Sequence, residues 1–122
     1  MFNDEIVKAI AAHGTWKIRL TDAIAKGTSD VAVADVAPDN KCAFGTWLYG
    51  PEFPSGEKAS PRYAEVVKLH AEFHKTAANV LRMALNGERQ QATAAMGVGS
   101  AYSHASANLV KALTGWRQRA AA

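Results

Sequence analysis

Residues 60–87, SPRYAEVVKLHAEFHKTAANVLRMALNG, carry the clearest structural signal in the chain. Apolar residues and two histidines recur there every three or four positions, which is the spacing of one face of an α-helix. Ser60 suits an N-cap, Pro61 suits the first helical position, and Asn86-Gly87 suits the end of the helix. The members of this repeated face are Tyr63, Val67, His70, His74, Ala77, Leu81 and Leu85. The pattern predicts a long helix with two histidines, one turn apart, on its inward face.

Two other segments repeat the same spacing. The first predicts a helix that ends at Gly27-Thr28-Ser29, because glycine often follows the last residue of a helix. The second predicts a helix through residues 95–116, in which Gly97 and Gly99 either weaken the helix or give it a face of small residues. The inward positions of the first are Ile6, Ile10, His13, Lys17, Leu20 and Ile24. Those of the second are Ala95, Val98, Tyr102, Ala105, Leu109, Ala112 and Trp116.

The segment between the first two long helices contains shorter elements. Residues 31–36 alternate valine with alanine or aspartate, and we favour a loop there over a strand, because a single short strand has no partner. Asp39 is a suitable N-cap for a short helix through about Tyr49, which places Cys42 in its first turn. A turn-rich connection follows at residues 50–56. We therefore predict one all-α domain over residues 1–122, an antiparallel four-helix bundle with one short helix.

The composition fits a globular domain, since 48% of the 122 residues are hydrophobic. The net charge of +3 comes from 14 basic and 11 acidic residues that are interspersed, without the basic stripe of a nucleic-acid-binding protein. One cysteine excludes an intramolecular disulfide and is typical of a reducing compartment. Residues 1–5 do not resemble a signal peptide, and no apolar run approaches the roughly 18 residues of a membrane span. We expect a cytoplasmic protein that contacts neither nucleic acid nor the membrane directly.

The histidines and the cysteine form a candidate metal site. His70 and His74 are four residues apart on one helical face, so both can bind the same ion. His13 lies on the inward face of the first helix. Cys42, near the start of a helix, would be favoured as a thiolate by the helix dipole. Imidazole and thiolate suit Zn²⁺, whereas magnesium and calcium prefer oxygen ligands. The predicted ligands are His13, Cys42, His70 and His74.

Each of these residues also has a simpler interpretation. A single inward histidine is often a hydrogen-bonded core residue, and a free cysteine is often a small buried apolar side chain. Three inward histidines favour the metal site, because apolar helix faces offer few partners for imidazole nitrogens. The metalloprotease motif is absent, since Ala71 rather than glutamate follows His70. Four protein ligands leave no open position for a catalytic water, so we predict no enzymatic activity. His104 lies one residue off its helix's inward face, and we expect it either at the surface or in contact with a ligand, but not as a ligand itself.

Three motifs, in this order, resemble the chemoreceptor zinc-binding (CZB) domain family. They are His13-Gly14-Thr15-Trp16-Lys17, the run CAFGTWLYG over residues 42–50, and His70-Ala71-Glu72-Phe73-His74. The resemblance covers roughly residues 5–86. It implies a homodimeric four-helix bundle in which His13, Cys42, His70 and His74 bind zinc.

The resemblance also implies a role in signal transduction. Members of the family are usually fused to chemoreceptor signalling domains or to diguanylate cyclases in the bacterial cytoplasm. Zinc binding, or oxidation of the zinc-bound cysteine by an oxidant such as hypochlorous acid, would change the output of that partner, in the same chain or in another. A different hypothesis is a structural zinc domain whose dimer surface serves as a protein-interaction adaptor.

Overall fold

In the computed structural model, which describes residues 2–121, the chain is helical and contains no strand within that range. A short 3-10 helix, Ser55–Ala59, lies in the connection between residues 49 and 61. The six α-helices are α1 (Phe2–Lys26), α2 (Val33–Val36), α3 (Ala43–Tyr49), α4 (Pro61–Leu85), α5 (Arg89–Ala95) and α6 (Ala101–Ala121). The all-α prediction is confirmed, but the described range holds six helices instead of the predicted four. None of them is both long enough and apolar enough to cross a bilayer.

The core lies where α1, α4 and α6 pack against one another. Each of these helices contributes large side chains that are almost completely buried: Ile6, Leu20, Phe73, Leu81, Leu109 and Leu113. Complete burial of such a side chain stabilises the fold by about 1.5–3 kcal/mol. His13, His70 and His74 are buried in the same core. The three candidate histidine ligands thus lie within the hydrophobic core.

The predicted ends of α1 and α4 are confirmed by their capping geometry. Ser60 accepts a hydrogen bond of 3.1 Å from the backbone N–H of Tyr63, and Pro61 is the first residue of α4. Gly27 and Gly87, which follow α1 and α4, have φ angles of 72° and 78°, a left-handed conformation that favours glycine. Among the predicted inward positions of α1, Lys17 is wrong, because its side chain is exposed.

The predicted helix over residues 95–116 is interrupted. The chain leaves helical geometry after Ala95, passes through a turn at residues 96–100 and starts α6 at Ala101. Gly99 has a φ of 83° in that turn, and Val98, predicted to face inward, is fully exposed. The hydroxyl of Ser100 accepts a hydrogen bond of 3.1 Å from the N–H of Ser103, and Ser100 thereby caps the start of α6. The glycines therefore permit a turn here instead of lining a helical face.

Two predictions between residues 31 and 49 are also corrected. Residues 33–36 form a single helical turn, closed by a 2.9 Å hydrogen bond from the N–H of Ala37 to the carbonyl of Val33. Cys42, not Asp39, is the N-cap of α3 and lies just before the first turn. The Asp39 carboxylate instead accepts a hydrogen bond from the Tyr49 hydroxyl. Asp39 thus joins the two ends of the α3 segment without capping the helix.

Candidate metal centre

The structure brings together all four residues that the sequence predicts as ligands. His13 comes from α1, Cys42 from the N-cap of α3, and His70 and His74 from adjacent turns of α4. One ligand atom from each residue lies within 4.8 Å of the others. The Nε2 atom of His70 is 3.0 Å from Nε2 of His74 and 3.3 Å from Sγ of Cys42. Three separate parts of the chain therefore present nitrogen and sulfur donors to one point.

Two of the imidazole rings are oriented by backbone carbonyls. His13 Nδ1 lies 2.7 Å from the carbonyl oxygen of Ala9, and His74 Nδ1 lies 2.8 Å from that of Val36. Since a carbonyl oxygen can only accept, Nδ1 carries the hydrogen in both rings, and each neutral ring keeps its lone pair on Nε2. Metal-binding histidines are commonly fixed in this way through their second nitrogen. Both rings therefore have Nε2, and not Nδ1, available as the donor to a cation.

His70 gives a direct test of whether the donor set fits a cation. Its buried Nδ1 has no hydrogen-bond partner within residues 2–121, while its Nε2 faces Nε2 of His74. If His70 carries its hydrogen on Nδ1, two lone pairs oppose each other at 3.0 Å. If the hydrogen is on Nε2, Nδ1 is an unsatisfied buried acceptor and the site loses one donor. A cation bound by all three Nε2 atoms and the Cys42 sulfur removes the lone-pair conflict, so the residues fit a zinc ion.

Burial keeps the histidines in the neutral form that metals bind. The exposed fractions of His13, His70 and His74 are 3%, 0% and 2%. Burial is the main reason that the pKa of His13 is lowered to about 4 and that of His70 to about 2. The pKa of His74 is also lowered by burial, against the opposing effect of its hydrogen bond to Val36. All three are neutral donors at physiological pH.

The thiol of Cys42 behaves differently from the sequence-based expectation. Its position before a helix was expected to favour the thiolate, but burial raises its pKa. The N–H of Gly45 donates a hydrogen bond of 3.3 Å to Sγ and opposes that effect only in part. A bound cation supplies the missing charge, because a coordinating thiol is deprotonated by the metal itself. The site is therefore built so that metal binding and release of the thiol proton occur together.

Aromatic rings surround the donors. The ring of Phe73 lies edge-on to His13 at a centroid distance of 5.1 Å, and Phe44 lies edge-on to His70 at the same distance. Phe44 and Leu48 are buried, and Trp47 is partly buried against Phe44. Such walls exclude water and strengthen interactions between the donors and an ion.

The groups that support the ligands cannot be predicted from the sequence. The carbonyls of Ala9 and Val36 orient two histidines, and a backbone oxygen has no signature of its own in the sequence. Gly45, whose N–H bonds to the Cys42 sulfur, is the exception, because it is part of the motif CAFGTWLYG over residues 42–50. A Cβ atom at Gly45 would lie 1.8 Å from the carbonyl oxygen of Asp39, so only glycine permits this approach. His104 is exposed and lies outside the cluster, as expected.

A known protein family matches the part of the chain that contains the four candidate ligands. The family model described as the chemoreceptor zinc-binding domain (CZB) matches residues 13–81, which is more than half of the chain. The match begins at His13 and includes the other three residues of the cluster. Comparisons with curated proteins and with solved structures gave no match.

Proposed function

Because the chain belongs to the chemoreceptor zinc-binding domain family, we propose that it is a zinc-binding sensory or regulatory domain of the bacterial cytoplasm. We propose that it responds to zinc availability or to oxidation of Cys42. The observation that carries this proposal is the convergence of His13, Cys42, His70 and His74 within 4.8 Å of one another. Its output partner would be a signalling protein of the chemoreceptor or diguanylate cyclase type, in the same chain or in another.

The ligand arrangement explains how metal binding could alter the domain. Zinc, when bound, supplies a Lewis acid that stabilises the Cys42 thiolate. His13 would hold it to α1, and His70 and His74 would hold it to α4, whereas Cys42 is the only donor from the α3 segment. Loss of that one donor separates α3 from the metal but leaves the two long helices in place. Ligand binding energy is then available to bias the position of α3.

Cys42 is also the donor that an oxidant would change first. Hypochlorous acid converts a thiolate to a sulfenic acid: an S–O bond forms, the O–Cl bond breaks, chloride leaves, and sulfur loses two electrons. The product carries no thiolate charge and is a poorer zinc ligand. The segment that includes Cys42 also carries the Val36 carbonyl, which accepts the His74 hydrogen bond. Movement of this segment would therefore disturb a second ligand as well.

The experiment that tests the function is elemental analysis of the purified protein, with mass spectrometry of Cys42 before and after mild treatment with hypochlorous acid. We expect one zinc ion per chain and release of that zinc as Cys42 is oxidised. Cys42→Ser should bind little zinc, whereas His104→Ala, which changes an exposed histidine outside the cluster, should bind as the wild type does. Absence of zinc from the wild type would overturn the proposal. Retention of zinc through oxidation would favour a structural site.

A second candidate function is a structural zinc domain that acts as a homodimeric adaptor. It is supported by the deep burial of the three histidines, because a metal held in the core could serve as a permanent cross-link. It is also supported by an apolar face on α1, where Val7 is 45% and Ile18 is 71% exposed. These residues are three helical turns apart on the same side of α1. We propose this face as the homodimer contact in either function, and in neither do we propose enzymatic activity.

A further inference from the structure

A cavity of about 120 Å³ lies against Cys42, between α1 and the start of α3. Its inner wall consists of buried residues: Ala9, His13 and Phe44. Its outer wall consists of exposed residues: Lys8, Ala12 and Ala43. Cys42 is intermediate in exposure and lines the same space. The cavity therefore leads from the protein surface to the edge of the metal centre.

We infer that this cavity is the route by which small, uncharged thiol-reactive molecules reach Cys42, and that its dimensions exclude larger ones. The physiological meaning of this inference rests on the proposed function, but access to the sulfur does not require zinc. The cavity touches two donors that belong to different helices, His13 of α1 and Cys42 before α3. A molecule that enters it meets the sulfur of Cys42, the least buried member of the cluster.

Volume limits which molecules can enter. A cavity of about 120 Å³ holds on the order of a few water-sized molecules, each of which takes up roughly 30 Å³ in the liquid. Hypochlorous acid and hydrogen peroxide each have two heavy atoms and fit this space, whereas a peptide disulfide such as oxidised glutathione does not. With hydrogen peroxide, the thiolate gains an S–O bond, the O–O bond breaks, hydroxide leaves, and sulfur loses two electrons.

The composition of the walls favours uncharged molecules. The inner wall and most of the outer wall are alanine and aromatic side chains, which offer few hydrogen bonds to a charged group. The two charged residues of the lining, Glu5 and Lys8, form an ion pair of 3.5 Å with each other. Their opposite charges give the opening no net attraction for either sign of ion. The route therefore favours molecules that are small and uncharged.

Two substitutions would narrow the route from opposite walls without changing the ligands. Ala12→Leu places a larger side chain on the α1 wall, and Ala43→Leu does so on the α3 wall; both alanines are exposed. Ala11→Leu is the matched control, since Ala11 is an exposed alanine of the same helix outside the cavity lining. Leucine is nearly as good a helix former as alanine, so α1 should persist in both α1 variants.

The experiment measures the reaction rate of Cys42 in the full chain after zinc removal with a chelator. The probes are methyl methanethiosulfonate, which is small, and N-phenylmaleimide, which is bulky; both are uncharged. Each rate is divided by that of N-acetylcysteine in the same buffer. We expect the bulky probe to be slowed at least about tenfold more than the small one, because access limits thiol reactions. We expect Ala12→Leu and Ala43→Leu to slow the small probe by about tenfold relative to Ala11→Leu.

Equal slowing of both probes, or equal rates in the three variants, would overturn the inference. Circular dichroism of each variant identifies a rate change that comes from unfolding. Zinc release by hypochlorous acid is measured separately on the zinc-loaded protein. If oxidation of Cys42 there does not release zinc, the redox part of the proposed function fails, while the rate comparison on the zinc-free chain still decides whether the cavity is the route.

Discussion

His74 Nδ1 donates a hydrogen bond of 2.8 Å to the carbonyl oxygen of Val36, and this bond ties the metal centre to a single helical turn. The turn is short, and it is followed by a loop in which Lys41 forms a 3.1 Å ion pair with Asp35. The same loop leads to Cys42. One chain segment thus orients one ligand through its backbone and supplies another through a side chain. A movement of this segment therefore changes the positions of two of the four donors, His74 and Cys42.

Ala37→Pro should weaken zinc binding without altering any ligand. Proline at this position removes the N–H that bonds to the Val33 carbonyl and disfavours helical geometry at Val36, which turns the Val36 carbonyl away from His74. Loss of such a supporting hydrogen bond reduces metal affinity by about 10–100-fold. Competition with a zinc chelator measures the affinity. Ala32→Pro is the control, because Ala32 precedes the turn with a φ of −88°, close to that of proline; an equal loss in the control would contradict the explanation.

Cys42 has two roles, and two substitutions separate them. Cys42→Ser keeps an N-cap acceptor for the Gly45 N–H but removes the thiolate, so the zinc-free protein should be as stable as the wild type while its zinc affinity falls strongly. Cys42→Ala removes both functions and should also lose about 1 kcal/mol of unfolding free energy in the zinc-free state. Urea unfolding in the presence of a chelator measures that difference. Unchanged zinc affinity in either variant would exclude Cys42 as a ligand.

The parts of the fold that sequence predicts well are those fixed by local chemistry. α4 starts at the Ser60 cap and ends before Gly87, and α1 ends before Gly27, as predicted. The sequence does not predict the break between α5 and α6, because Ala95, Val98 and Tyr102 keep helical spacing across it. The spacing alone does not reveal that Gly99 takes a left-handed conformation, in a turn where Val98 is exposed.

Likewise, the sequence predicts the ligands of the candidate site but not the groups that orient them. His70 and His74 could be paired from their separation on one helix, and His13 could be placed on an inward face. Their orienting groups could not be predicted, since the carbonyls of Ala9 and Val36 act through the backbone and any residue type supplies one. Cys42 was placed in the first helical turn because Asp39 is the better N-cap by residue type. In the folded chain Asp39 bonds to Tyr49 instead, and the sulfur takes the cap position.

Gly45→Ala should be strongly destabilising, whereas Gly14→Ala should be mildly stabilising. A Cβ at Gly45 would lie 1.8 Å from the Asp39 carbonyl oxygen, so the loop that carries Cys42 must move. A Cβ at Gly14, within α1, meets nothing within 4 Å, and alanine is favoured over glycine in a helix by up to about 1 kcal/mol. Thermal unfolding with and without zinc compares the two variants. Similar melting temperatures for both would contradict the close approach at Gly45.

Ile18→Lys should convert the proposed homodimer to a monomer. Ile18 is 71% exposed on the apolar face of α1, and a buried lysine without a partner in a dimer contact is unfavourable. Val98→Lys is the matched control, because Val98 is also an exposed aliphatic residue but lies in the turn before α6. Sedimentation equilibrium measures the mass of each variant. A wild-type chain that is monomeric at all concentrations would contradict the proposed contact.

The zinc-free protein should lose stability as the pH falls below about 6.5. The pKa of His13 is lowered from 6.5 to about 4 in the folded chain, that of His70 to about 2, and that of His74 is lowered as well. Between pH 6.5 and about 4 the unfolded chain therefore binds protons that the folded chain does not. The contribution of the neutral histidines to the free energy of unfolding is complete above this window and decreases as the pH falls through it. Within this window His13 and His70 each contribute about 1.4 kcal/mol per pH unit. Urea unfolding with a chelator at about pH 7.5 and about pH 5.5 should differ by roughly 3 kcal/mol from His13 and His70, with a further loss in the same direction from His74, and by about 1.4 kcal/mol less in His13→Asn. Equal stability at the two pH values would mean that these histidines are protonated in the folded chain, and the neutral donor set inferred for zinc would be wrong.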